Sequence, residues 1–260
     1  MLKVKNDKLN CMVGDIVEFD TDTLVINKIE ERKNFLERPL IANIDHLGVT
    51  YSLKSPDFDS TSFQKMLLNS FYRNIEPIVI FTKSELLSQE ETEKFFVDFS
   101  INFKNLNLKQ FVLNIDYNTS ELLDFISGKI IAFSGPSGVG KSTLINKILN
   151  EDLLLTGDIS EKTEKGRHTT IESRTFELKD STLVIDTPGF SSLNFPSLEG
   201  KKDLDSLFPD FEPFIPECKF RNCLHINEPG CGVKNALENG EISKLRYDFY
   251  LYTFNNIFER

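Results

Sequence analysis

No apolar run in this 260-residue chain approaches the roughly 18 residues of a membrane span, and the opening "MLKVKNDKLN" holds no apolar signal region. From these two absences we expect a cytoplasmic protein with no membrane contact. Positive charge is in deficit: 30 Lys and Arg face 40 Asp and Glu, a formal net charge of -10. A chain of that sign does not coat nucleic acid indiscriminately, and no DNA binding is expected; a local basic face is still compatible with RNA. Internal repeats and low-complexity tracts are also missing. Cysteine is scarce, with Cys11 alone and Cys218, Cys223 and Cys231 gathered within 14 residues. In a reducing compartment such a cluster reads as metal ligands rather than disulfides.

What is present is an ordinary folded composition, 40% hydrophobic and 27% charged, long enough for one large core plus one or two small modules. Residues 11–29, "CMVGDIVEFDTDTLVINKI", alternate irregularly, with turn signals at Gly14-Asp15 and Asp20 to Thr23, so short strands of a small β module are expected over 1–45. Next come an expected strand at 48–53 and a helix from Ser62 to Asn74, with Phe63, Met66, Leu67 and Phe71 on one face. A strand at Ile78 to Phe81, a helix at Glu90 to Phe99, a strand at 109–115 and a short helix at "SELLDFIS" follow. Ile130 to Phe133 reads as a buried strand, a helix starts near Lys141, and further strands fall near 171–178 and 182–186. This alternation predicts a mostly parallel, three-layer α/β domain over 46–195. After Pro196 the pattern changes, and 196–260 reads as a small helical module stapled by metal.

Gly135-Pro136-Ser137-Gly138-Val139-Gly140-Lys141-Ser142 matches G-x-x-x-x-G-K-S/T between an expected strand and an expected helix. Its glycines let backbone amides converge on phosphate oxygens, and the helix N-terminus adds positive potential. Lys141 would reach the β- and γ-phosphates, Ser142 would ligate magnesium, and Thr143 belongs to the same nucleotide-binding run. The bland alternative is an incidental Gly-rich turn. Forty-four residues beyond Ser142, Asp186-Thr-Pro-Gly189 closes the apolar strand "LVI". Such a D-x-x-G would hold magnesium through water at Asp186 and sense the γ-phosphate with the Gly189 amide. Between them, "EKGRHTTIE" offers Thr169 or Thr170 to complete the magnesium shell, with Thr170 preferred. Phe190 stands where Ras-like enzymes place a water-orienting Gln, and His168 is the candidate substitute, its alternative being contact with a partner.

Fifty-two residues ahead of the loop, "IFTKSELL" places Thr82, Lys83 and Glu85 where a GTPase base-reading motif would carry Asn-Lys-x-Asp. In the C-terminal part, Cys218-x4-Cys223-x-His225-x5-Cys231 offers three thiolates and an imidazole, which suits tetrahedral structural zinc; simple burial of the cysteines is the alternative.

In this order the motifs resemble the circularly permuted GTPases, most closely the ribosome small-subunit-dependent GTPase A family. The resemblance runs through "VGDIVEF", "RPLIANID", "GPSGVGKSTLIN", "GRHTT", "DTPGF", "FPDFEPFIPECKFRNCLHINEPGC" and "GEISKLRYDFY". It implies a short OB-like β module, a circularly permuted P-loop GTPase domain and a zinc-binding helical module. It further implies a monomer that hydrolyses GTP with Mg2+, carries one structural Zn2+, binds 16S rRNA, is activated by the 30S subunit and acts late in its maturation. The phosphate loop also resembles that of guanylate kinases, so a nucleoside-monophosphate kinase is the rival reading. A non-catalytic rRNA-binding scaffold is the third.

Three departures from the family stand out. Only 13 residues precede Gly14, where the family has a longer first half of the barrel. "LNIDYNTSE" replaces an expected Ser-Ala pair that buttresses the base. Thr82 lacks the amide that ties the base loop to the phosphate loop, and Glu85 adds a methylene to the usual Asp, so weaker guanine selectivity is expected. Lys219, Arg221, Lys234, Lys244 and Arg246 are the candidates for a basic face toward rRNA. Cys11 is expected to pack in the barrel, and the tail aromatics Tyr247, Phe249, Tyr250, Tyr252 and Phe254 to pack rather than stack bases.

Overall fold

The computed structural model describes residues 3–4, 10–37, 40–114, 116, 118–156, 174–187 and 195–259. Near the start, β1 (Lys3–Val4), β2 (Val17–Asp20) and β3 (Val25–Ile29) form a three-stranded sheet in the order β1-β3-β2. The Asp20 carboxylate closes the β2–β3 turn by accepting from the Asp22 and Thr23 amides. β4 (Phe35–Glu37) and β5 (Leu40–Ala42) form a separate hairpin, and β5 meets the segment ahead of β2 through a parallel bridge between Val13 and Ile41. Arg32 fastens the connection, its Nε and Nη2 donating to Asp15 at 2.6 and 2.9 Å. Cys11 is half-buried here.

The large sheet has six strands: β6 (His46–Ser52), β7 (Glu76–Thr82), β8 (Lys109–Val112), β9 (Ile130–Ser134), β10 (Arg174–Glu177) and β11 (Leu183–Asp186). Their order is β10-β11-β9-β6-β7-β8, parallel throughout except where β10 pairs with β11. Central β6 is buried at all seven residues, as expected for a strand covered on both faces. The period of two assigns the side chains of β7: Val79 and Phe81 enter one core with Tyr51, Phe63, Phe99 and Phe103, and Ile78 and Ile80 enter the other with Phe111, Phe133, Leu144 and Ile148. Helices α1 (Ser60–Tyr72) and α2 (Gln89–Phe103) cover the first face, and α3 (Ser120–Ile126) and α4 (Lys141–Thr156) the second. Asp59 caps α1 through the Thr61 amide, and Ser88 with Glu91 forms a reciprocal capping box on α2, which is why both helices begin where they do.

Two 3₁₀ segments, Lys201–Leu207 and Pro209–Glu217, precede α5 (Gly232–Glu238) and α6 (Lys244–Phe258). The helical tail divides at Gly240, whose φ of 71° is a left-handed conformation that glycine adopts at no steric cost. Tyr247, Phe249, Tyr250 and Phe254 pack into the core of this region with Leu204, Phe208 and Phe211, as the tail aromatics were expected to do. Tyr252 stays 41% exposed, resting against Phe195. Arg246 requires a correction. It is 2% exposed and cannot present charge to RNA. Its Nε and Nη2 each donate to Asp210 at 2.8 Å, and its Nη1 donates to Gln64 of α1 at 3.1 Å. Lys244 spends its charge on Asp248, one turn further along α6. Among the described residues no helix is long and apolar enough to cross a membrane.

Candidate functional site

Because β6, β7, β8, β9 and β11 run in one direction, their C-terminal ends share one edge of the sheet, where α/β folds bind ligands. The Gly135–Ser142 loop leaves β9 at that edge and runs into α4. Gly135 is required there: a Cβ would lie 2.2 Å from the Thr50 carbonyl oxygen of neighbouring β6. Gly138 and Gly140 have φ of 80° and 93°, the left-handed geometry that turns successive amides toward one point. Val139 is fully buried and anchors the loop from below, while Ser142 and Thr143 are exposed at the start of α4.

Lys141 leans across to the end of β11, its Nζ 3.1 Å from Asp186 Oδ1. The contact has ion-pair distance but not hydrogen-bond direction, so among the described residues Asp186 Oδ1 is buried without a hydrogen-bond partner. An orphaned carboxylate oxygen beside a phosphate loop is chemically suited to a hard cation such as Mg2+ or to its water. Thr187 is locked next to it, donating from Oγ1 to the Phe133 carbonyl at 2.6 Å. Gly189, His168 and Thr170 lie outside the described residues.

The base-reading stretch meets this loop directly. Thr82, fully buried at the end of β7, donates from Oγ1 to the Val139 carbonyl. The expected loss of a tie at this position does not occur, because a hydroxyl placed at the strand end supplies the same single donor. Lys83 has φ of 57°, and its Nζ donates to the Gly138 carbonyl at 2.7 Å and to the Ser55 carbonyl. Glu85 is exposed in the turn Ser84–Leu86. The Thr50 carbonyl bounds Gly135 and the Ser55 carbonyl accepts from Lys83, and side-chain motifs gave no sign of either. The loop after β8 reaches the same edge, with Leu113 donating its amide to Phe81 at 2.7 Å.

The second cluster lies in the C-terminal region. The ligand atoms of Cys218, Cys223, His225 and Cys231 all fall within 4.8 Å of one another. His225 Nδ1 is 3.6 Å from Cys218 Sγ and 3.3 Å from Cys231 Sγ, near the roughly 3.5–3.8 Å edges of a tetrahedron built on zinc bond lengths. On the far side of the ring, His225 Nε2 faces Asp205 Oδ1 at 3.4 Å, the carboxylate arrangement that orients a ligating imidazole. Burial pushes the Cys223 thiol up to about 12, and the sulfurs of Cys231 and Cys218 add to the effect. Thiolates become favourable here only with a cation between them, and this donor set fits Zn2+ with no position left for water.

Following the chain through the sheet, the strand that ends in Thr82 is reached before the strand that delivers the loop it holds. That connectivity, with a phosphate loop and an acidic strand end facing each other, defines a circularly permuted GTPase. The RsgA GTPase family model matches residues 29–196, and the chain belongs to that family. It is 42% identical over 262 residues to the small ribosomal subunit biogenesis GTPase RsgA of Fusobacterium nucleatum, covering 100% of this chain and 91% of the relative. The protein of the same name from Clostridium botulinum strain Eklund 17B is 40% identical, with 99% and 88% covered. The crystal structure of YjeQ from Thermotoga maritima superposes with a TM-score of 0.81 at 28% identity, covering 100% of this chain and 90% of that one. YloQ, a circularly permuted GTPase, gives 0.79 at 32% identity, with 98% and 84% covered. The chain is a GTP hydrolase, and the kinase alternative falls with the family assignment.

Proposed function

We propose that this GTPase works on the small ribosomal subunit late in its maturation, binding 16S rRNA and hydrolysing GTP when the subunit activates it. The observation that carries this reading is the 40–42% identity to relatives named small ribosomal subunit biogenesis GTPases, over nearly the whole of a chain whose 135–142 loop is tied to the end of β7. In this reading residues 1–45 form the OB-like module, 46–195 the GTPase domain and 196–260 the zinc module. The protein works as a cytoplasmic monomer without binding DNA.

Residues 135–143 wrap the phosphates, Lys141 leaves Asp186 for the β- and γ-phosphate oxygens, and Lys83 and Glu85 face the base from the strand end that Thr82 ties to the loop. Ser142, Asp186 and Thr170 would hold Mg2+, which when bound neutralises charge on the phosphate oxygens. Cys218, Cys223, His225 and Cys231 would hold Zn2+ as a structural ion. Phe190 follows Gly189, so no Gln stands there to orient water, and His168 takes that task. Intrinsic turnover is then slow, and hydrolysis times release from the subunit. The test is phosphate release from GTP and from ATP, with and without purified small subunits. Strong stimulation confined to GTP is expected; activity indifferent to both base and subunit overturns the reading.

A further inference from the structure

The C-terminal region buries its aromatic rings, Phe208, Phe211, Phe249, Tyr250 and Phe254 all being at most 4% exposed. Phe220 breaks that pattern. It lies between the first two cysteines of the Cys3His cluster, and the residue is left 40% exposed. Tyr252, the other exposed aromatic of this region at 41%, has ring contacts with Phe195 and with Lys65, whose Nζ is 5.4 Å from its ring centre. Phe220 has no ring contact with another aromatic among the described residues. Its one ring partner is a cation, Lys219 Nζ at 5.6 Å.

The flanking residues are Lys219 and Arg221, both exposed. From Cys218 to Asn235 the chain carries three basic residues, Lys219, Arg221 and Lys234, against one acid, Glu228, in a protein of net charge -10. That one acid is turned inward: its carboxylate accepts from the amides of Leu224, Ile226 and Asn227 at 2.9, 3.0 and 3.1 Å. The backbone that carries the ring is also fixed. The Lys219 amide donates to Gly230 at 2.9 Å, and the Cys223 amide donates to the Phe220 carbonyl at 3.2 Å. A flat apolar ring is therefore held outward on a rigid loop between two cations.

We infer that Phe220 is a stacking platform for an unpaired RNA base, with Lys219 and Arg221 contacting the adjoining phosphates. Stacking on an aromatic side chain is how proteins engage single-stranded nucleotides, and the neighbouring cations supply the salt-dependent part of the affinity. A duplex offers no free base face to the ring. The inference deepens the RNA-binding reading above and rests on it.

The test titrates the zinc-loaded full chain with a labelled single-stranded RNA of mixed sequence, about 12 nucleotides long, and with an RNA duplex of equal length. Tighter binding of the single strand is expected. Phe220→Ala weakens it about tenfold with an unchanged salt slope, and Phe220→Trp retains it. Lys219→Ala and Arg221→Ala each lower the salt slope by about 0.7. Zinc content and circular dichroism confirm that each variant is folded. Co-sedimentation of the same variants with purified small ribosomal subunits follows the same ranking. No binding of the single strand, a preference for duplex, or wild-type affinity in Phe220→Ala overturns the platform. So does a Phe220→Ala variant that loses subunit binding but keeps RNA binding, which would assign the ring to a ribosomal protein. If Phe220→Ala loses RNA while the unsubstituted chain shows no stimulation by subunits, the platform stands and the ribosomal reading fails.

Discussion

The Thr82 hydroxyl donates its one proton to the Val139 carbonyl, across 57 residues of sequence, and so latches the end of the base-reading strand to the phosphate loop. Lys83 adds a second latch on the preceding carbonyl, that of Gly138. Because a hydroxyl has a single hydrogen, the latch leaves Thr82 none to offer the base, whereas an asparagine amide could serve both.

Removing the latch should loosen the whole nucleotide site rather than one contact. Thr82→Val is close in shape and leaves the Val139 oxygen unsatisfied, a cost of about 1–3 kcal/mol. GDP and GTP should both bind roughly 5- to 100-fold more weakly, read by titration with fluorescent nucleotide analogues. Thr82→Ser, which keeps the donor, should stay near the parent. Equal affinity of Thr82→Val and the parent would show that the latch does not order the loop.

Base selectivity should be modest. We expect GTP and ATP affinities to differ by less than about a thousandfold, roughly 4 kcal/mol, with Thr82→Asn widening the gap by restoring an amide. Competition binding with both nucleotides decides it, and a larger difference in the parent protein contradicts the expectation.

Arg246 and Asp210 are 2% and 4% exposed and bond each other through two parallel hydrogen bonds, with Gln64 taking a third donor. Arg246→Met strands the Asp210 carboxylate in the interior, which should cost about 3–5 kcal/mol. Urea unfolding should show the loss as a lower midpoint, with zinc content unchanged. A midpoint within experimental error of the parent refutes it.

His46 is buried at the start of β6, and burial holds its pKa below the usual histidine value. Glu76 and Asp45 pull the other way, while Lys129 and Lys33 reinforce the depression. The unfolded chain therefore binds the proton first as pH falls. The stability contribution is complete above about pH 6.5 and declines below it until the folded-state pKa is reached. Urea midpoints of the zinc-saturated protein should fall between about pH 7 and pH 5.5, and His46→Gln should flatten that slope. An unchanged slope in the variant would assign the effect to other groups.

Treating the zinc-loaded protein with a chelator should loosen the loop from Cys218 to Cys231, because four ligands and the Asp205 contact would hold it where its edge meets the apolar core of the region. Near-ultraviolet dichroism of the tyrosines Tyr247 and Tyr250, which donate to the His225 and Leu224 carbonyls, should report it. Retention of that signal in metal-free protein would show that the loop holds itself.

Residues whose chemistry depends on near neighbours in the chain were legible in advance. The glycines from Gly135 to Gly140 announce a loop that only glycine can turn, and Lys141 and Ser142 follow at fixed offsets on the helix that opens there. Three cysteines and a histidine within 14 residues mark a cluster that could hold a metal ion, and the alternation of apolar strands and amphipathic helices names a parallel sheet. What only the folded chain decided is which distant groups meet. Arg246 looked like surface charge until α6 docked it on Asp210 and Gln64, the latter 182 residues away. Thr82 looked like a lost contact until β7 carried its hydroxyl to Val139. In both cases the outcome depends on burial and on donor direction at a packed junction between elements, and neither is encoded by residue type or local spacing.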